Sequence, residues 1–189
     1  MEIERKWLFN MQLVPTDESE TITYYEQTYL SVEPEVRIRS KHVDTNPANW
    51  KHANVACMSE TYMLCIKGNG GISRVEVQKE LSESEFEELK QVGNIQDTDF
   101  IKKKYYKILV EGNLLTVGTV NEGTPYQFSY GKIEFKSEEE ANKFKAPSWF
   151  GREVTTDSRY KMKNYWLSWK ESSQKDSEEA KMKFWDEFQ

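Results

Sequence analysis

The chain has 189 residues, enough for one sizeable core, with 37% hydrophobic and 31% charged side chains. Its 32 acids against 26 bases leave a net charge of −6, which excludes the broad basic field of general nucleic-acid binders, so any anion site must be local. Two cysteines, Cys57 and Cys65, are too few for a disulfide framework and lack the companions of a zinc site; with no apolar run near the roughly 18 residues of a membrane span and a charged opening MEIERKW, the reading is a cytoplasmic protein with no nucleic-acid or membrane partner.

In chain order, residues 1–9 alternate with the period of a strand, placing Glu2, Glu4 and Lys6 on one face and Ile3, Arg5 and Trp7 on the other. Runs rich in β-branched and aromatic residues predict further strands at 21–29, 35–41, 61–67 and 73–80. Residues 42–60, with turn chemistry and no sustained period, predict a long loop. Ser82 with Glu85 three residues on predicts a capped helix over 82–92, stopped by Gly93. Strands are expected again at 101–111, 114–120, 126–135 and 152–155, with a hairpin turn at Gly112 and Asn113. Ser137 with Glu140 opens a second helix that Pro147 ends. The tail from 161 carries aromatics among charges and suits one or two amphipathic helices on the outside.

Charged residues recur at alternate strand positions: Arg37 and Arg39 around Ile38, Arg74 and Glu76 around Val75, Lys132 and Glu134 around Ile133, with Lys67 closing TYMLCIK. Period 2 leaves open whether such faces meet solvent or a polar interior. About eight antiparallel strands with few helices favour closure, which abolishes sheet edges. Carboxylates on the first strand and cations on the middle ones are the combination that a metal-bound polyphosphate needs.

The opening E-x-E-x-K (Glu2, Glu4, Lys6) resembles the signature of the CYTH superfamily, the triphosphate tunnel metalloenzymes. In the same order follow Gln27 to Leu30, Val36 to Arg39, Ile66 to Gly68, Arg74 to Glu76, Ile133 to Phe135, and GREVT-x-D-x-RY from Gly151 to Tyr160. The resemblance implies a mainly β (α+β) fold: one CYTH domain over 1–189, built as a closed eight-stranded antiparallel β-barrel, or tunnel, with a few peripheral helices, an insertion at about 42–60 and a helical tail from about 165. It implies that Glu2, Glu4 and Glu153 hold Mg²⁺ or Mn²⁺, with Glu134 a further acid. Lys6, Arg37, Arg39, Lys67, Arg74 and Lys103 would line the phosphate path, and Lys6 and Tyr29 would tune the attacking water, unless Tyr29 is simply a wall aromatic.

The activity implied is metal-dependent hydrolysis of inorganic or organic triphosphate, the ligand being tripolyphosphate, thiamine triphosphate or ATP. The alternatives are an adenylate cyclase and a module that binds without turnover. The last is motivated by departures from the family pattern: Gln78 after R-x-E, Tyr105 where K-x-R is usual, residues 115–119 with no carboxylate, and Lys132 in place of an acid. Each lost acid leaves the site more basic, which suits anion capture and weakens metal binding. Oligomeric state leaves no mark in the sequence.

Overall fold

The computed structural model describes residues 3–48, 58–68, 75–175 and 177–188. Its strands are β1 Ile3–Leu8, β2 Thr21–Val32, β3 Glu35–Thr45, β4 Met58–Lys67, β5 Glu76–Leu81, β6 Ile101–Val110, β7 Asn113–Val120 and β8 Phe128–Phe135. They form one eight-stranded sheet in the order β1-β8-β7-β6-β2-β3-β4-β5, and the seven pairings along it are antiparallel.

The expected closed barrel is corrected here: among the described residues no ladder joins β1 to β5, and the sheet is open. The edge of β1 is taken instead by the segment 151–155. Leu8 N–H donates to Arg152 O, Gly151 N–H to Leu8 O and Val154 N–H to Lys6 O, with Trp7 bridged to Glu153. Those hydrogen bonds use the backbone groups that closure onto β5 would need. The strand predicted at 152–155 reduces to that one bridge.

Other departures are local. β3 runs on to Thr45 and β4 starts at Met58, so both strands enter the predicted loop, whose residues 49–57 lie outside the described ones. The hairpin between β6 and β7 turns on Glu111 and Gly112 rather than Gly112 and Asn113. Both have positive φ, 49° and 79°, as a two-residue type I′ turn requires, and Asn113 already pairs with Val110. Helix α1 (Glu83–Val92) carries the expected capping box between Ser82 and Glu85, and α2 (Glu138–Lys143) is capped by Ser137. The tail forms α3 (Met162–Lys175) and α4 (Glu178–Phe188). No described helix is long and apolar enough to cross a membrane.

Three apolar clusters hold these elements together. Trp7, Ile108, Leu115, Val117, Ile133 and Phe135 pack with Phe144 and Phe150 from around α2. Ile38 and Phe100 pack with Leu81 and Phe86, at α1. Val154, Tyr160, Tyr165, Trp166 and Phe184 gather against Tyr29 and Val120, so α3 and α4 plug one end of the sheet. The tail is pinned by Trp166 Nε1 donating to Asp99 O at 2.9 Å and by the Tyr165 hydroxyl donating to Tyr126 O at 2.8 Å.

Candidate active site

Cross-strand register assembles one polar face from residues far apart in sequence. Lys6 on β1 stands opposite Lys132 on β8, and Glu4 opposite Glu134. Lys103 on β6 stands opposite Tyr25 on β2, and Gln27 and Tyr29 oppose Arg39 and Arg37. Arg37 opposes Cys65, and Glu35 opposes Lys67, which faces Glu76 on β5. Side chains directly opposite in an antiparallel pair share a face. The sequence offered four lysines on β6; the structure turns Lys103 in, while Lys102 and Lys104 reach outward to Glu26 at 3.2 Å and Glu122 at 3.4 Å.

The middle of this charged face is buried. Arg37 is 9% exposed, Lys103 8%, Lys67 8% and Gln27 1%. Polar side chains so deeply buried on one face of a single sheet mark a sheet curled into a trough with its charges inside, and Lys103 lies in the field of Lys6 and Lys132 as well as of Arg37 and Arg39. Burial first, and then those four cations, push the Lys103 amine well below the usual lysine range; it donates to Gln27 Oε1. Burial and Arg37 likewise lower Arg39. Among the described residues, Arg37 Nε and the Tyr105 hydroxyl are buried without a hydrogen-bond partner. Buried donors and mutually repelling cations are arranged as an anion site demands.

Carboxylates occupy the two ends of the trough. At one end Glu4 meets Lys6 at 2.7 Å and Lys132 at 2.8 Å, and Lys132 meets Glu134 at 2.7 Å. Burial would raise the Glu4 carboxyl, but Lys132 and Lys6 override it and hold it at about 2. Burial also acts against the Lys132 ammonium, yet Glu4 and Glu134 lift it above the usual lysine value. At the other end burial again pushes up, but hydrogen bonds from Cys65, Lys67 and Gln78 keep Glu76 near 2, while burial and Glu76 push the Cys65 thiol up to about 11. Because the folded value of Glu4 lies below its ordinary 4.5, its stabilisation is complete above about pH 4.5 and drains away as pH falls toward 2. Thermal melts across that window should show a shallower acid limb in Glu4→Gln than in the parent.

The other expected site residues fall elsewhere. Glu153 is bound by Arg5 at 2.6 Å and by the Thr155 hydroxyl at 2.7 Å. It opposes Trp7, on the face of β1 turned away from Glu4. Tyr29 packs on Trp166 at 5.2 Å, and burial lifts its phenol far above the ordinary value, so it stands in the wall beside Arg37. Glu2 and Arg74 lie outside the described residues.

Tyr105 and Gly118, two departures from the family pattern, are one feature. They are register partners, and a Cβ at position 118 would meet Lys104 O at 1.9 Å and Tyr105 Cδ1 at 2.6 Å. The Tyr105 ring fills the space an acid at 118 would need, and it continues through Tyr130 at 5.8 Å and Tyr25 at 6.1 Å as an aromatic floor. Sequence reading gave Gln27 only as the start of a motif and Tyr25 no part at all, although their alternation with Tyr29 along β2 was visible.

A resident divalent metal does not fit the described set. Among the described residues no three His, Cys, Asp or Glu side chains gather. Glu4 and Glu134 share an ammonium, and Glu153 lies on the opposite face.

No protein-family model matches the sequence. The inorganic triphosphatase of Nitrosomonas europaea is 32% identical over 124 residues, spanning 66% of this chain and 80% of that protein. The crystal structure of the inorganic triphosphatase NE1496 is similar with a TM-score of 0.56 at 26% identity, covering 88% of this chain and 97% of that one. That of the hypothetical protein NE1496 gives 0.54 at 25%, covering 88% and 96%. A relative of that identity and coverage, with the motifs from Glu4-x-Lys6 to GREVT-x-D-x-RY in the same order, places the chain plainly in one family: it belongs to the CYTH superfamily of triphosphate tunnel metalloenzymes.

Proposed function

We propose that this chain hydrolyses inorganic triphosphate, or a closely related organic triphosphate, on the buried cationic face. The observation that carries this reading is the gathering of Lys6, Arg37, Arg39, Lys103 and Lys132 in one trough, where burial and then the other four cations push the Lys103 amine well below the usual lysine range. A linear polyphosphate is the ligand that relieves such repulsion along its whole length. Phosphoryl transfer asks mainly for positioning and charge stabilisation. Arg37 and Arg39 would fork onto phosphate oxygens, and the Tyr105 hydroxyl and Arg37 Nε would supply the donors that now lack acceptors. Lys6, set against Glu4, would hold the attacked phosphate beside a carboxylate that stays ionised at neutral pH. Tyr29 supports Arg37 from the wall. Mg²⁺ or Mn²⁺ belongs to this reading as the ion a triphosphate brings from solution.

The test is incubation of the purified protein with tripolyphosphate, thiamine triphosphate and ATP, each with Mg²⁺ or Mn²⁺, followed by product analysis. Release of orthophosphate, fastest from tripolyphosphate, is expected. Tight binding without products would replace this reading with a capture module, and cyclic AMP with pyrophosphate would replace it with a cyclase.

A further inference from the structure

We propose that Lys132 takes the place of a resident divalent ion between Glu4 and Glu134, so that metal reaches this face only as its triphosphate complex. The arrangement is written into the β1–β8 ladder. Glu4 opposes Glu134 and Lys6 opposes Lys132, which makes Lys132 the diagonal neighbour of Glu4 and the same-face neighbour of Glu134. A diagonal step of about 7–8 Å is within reach of a long side chain. The Lys132 ammonium accordingly lies 2.8 Å from Glu4 Oε2 and 2.7 Å from Glu134 Oε1, while Lys6 takes Glu4 Oε1 at 2.7 Å. Among the described residues, two carboxylates against two ammoniums leave no net negative charge. Hard divalent ions bind where anionic oxygens converge in excess, and here the oxygens converge on a nitrogen.

The metal half of this inference stands on that geometry alone; the substrate half rests on the proposed triphosphatase reading. For a triphosphatase the consequence is a division of labour. The protein supplies monovalent cations in fixed positions, and the substrate carries the divalent one.

Mn²⁺ binding followed by electron paramagnetic resonance tests the metal half with the metal alone. The parent is expected to bind Mn²⁺ weakly, and Lys132→Gln and Lys132→Glu to bind it about tenfold or more tightly, as restored carboxylate charge does. Circular dichroism establishes that each variant is folded. Tight Mn²⁺ binding by the parent would overturn the assignment, as would two folded variants with no gain in affinity. Adding tripolyphosphate to the parent should then draw Mn²⁺ onto the protein. If the variants gain affinity but the parent neither takes up Mn²⁺ with tripolyphosphate nor releases phosphate, the Lys132 assignment stands and the triphosphatase reading fails.

Discussion

Lys103→Met is expected to make the protein more stable and almost inactive at once. In the trough the Lys103 amine is buried and opposed by Arg37, Arg39, Lys132 and Lys6. An apolar side chain of similar volume removes that opposition, and replacing buried charge in this way is often neutral or stabilising. The lost hydrogen bond to Gln27 takes back part of the gain. A net increase of about 1 kcal/mol would raise the melting midpoint by roughly 2–4 °C for a chain of this size. The same substitution removes a cation from the proposed phosphate path, and losing one preorganised electrostatic contact typically costs about 10²–10³-fold in turnover. Differential scanning calorimetry and phosphate-release kinetics on tripolyphosphate read the two effects separately. A lower midpoint would show that Lys103 supports the fold. An unchanged kcat/KM would place the substrate elsewhere.

Trp7→Ala is the expected extreme on the stability side. Trp7 is fully buried, meets Phe144 at 5.7 Å and Phe150 at 5.2 Å edge to face, and carries the Arg5 guanidinium over its ring at 4.9 Å. Truncating a core tryptophan costs about 3–5 kcal/mol, roughly 10 °C in the midpoint here. It should also loosen the segment 151–155, because Trp7 opposes Glu153. Hydrogen exchange at the amides of Gly151 and Val154, both bonded to β1, is expected to accelerate ahead of exchange in β6 and β7. Glu153→Gln, which weakens only a partly exposed ion pair with Arg5, should cost less than about 1 kcal/mol. Equal losses from the two variants would contradict this picture of the β1 edge.

The contrast between Glu4 and Glu153 shows what could be read from sequence. Alternation along β1 put Glu4 and Lys6 on one face and Arg5 and Trp7 on the other, and the structure keeps that division. The helix starts were equally plain, because Ser82 with Glu85 and Ser137 with Glu140 satisfy their own first-turn donors whatever surrounds them. Which face of β1 Glu153 would join depended on a long-range pairing with Trp7, and no local period encodes such a register. Closure was illegible for a related reason. Eight alternating strands describe a sheet, but whether its ends meet depends on what else competes for the edge of β1, and here 151–155 does. The choice among the β6 lysines followed once Ile101 and Tyr105 were fixed as inward neighbours. Lys132 was visible in the sequence as a missing acid; its bond to both remaining carboxylates was not.

The strap on β1 also bears on how the chain is made. β1 leaves the ribosome before the other seven strands, yet its ladder partner β8 begins at Phe128 and its edge is sealed only by residues 151–155. Pairings of such sequence separation are slow to form. β2, β3 and β4 pair as sequential neighbours, whereas β1, with its tryptophan and its edge amides, is completed only by β8 and residues 151–155. Its charged alternate positions, Glu4 and Lys6, are the kind of residues that discourage strangers from pairing there. The side chains proposed to face the phosphate thus also guard an edge that is completed late.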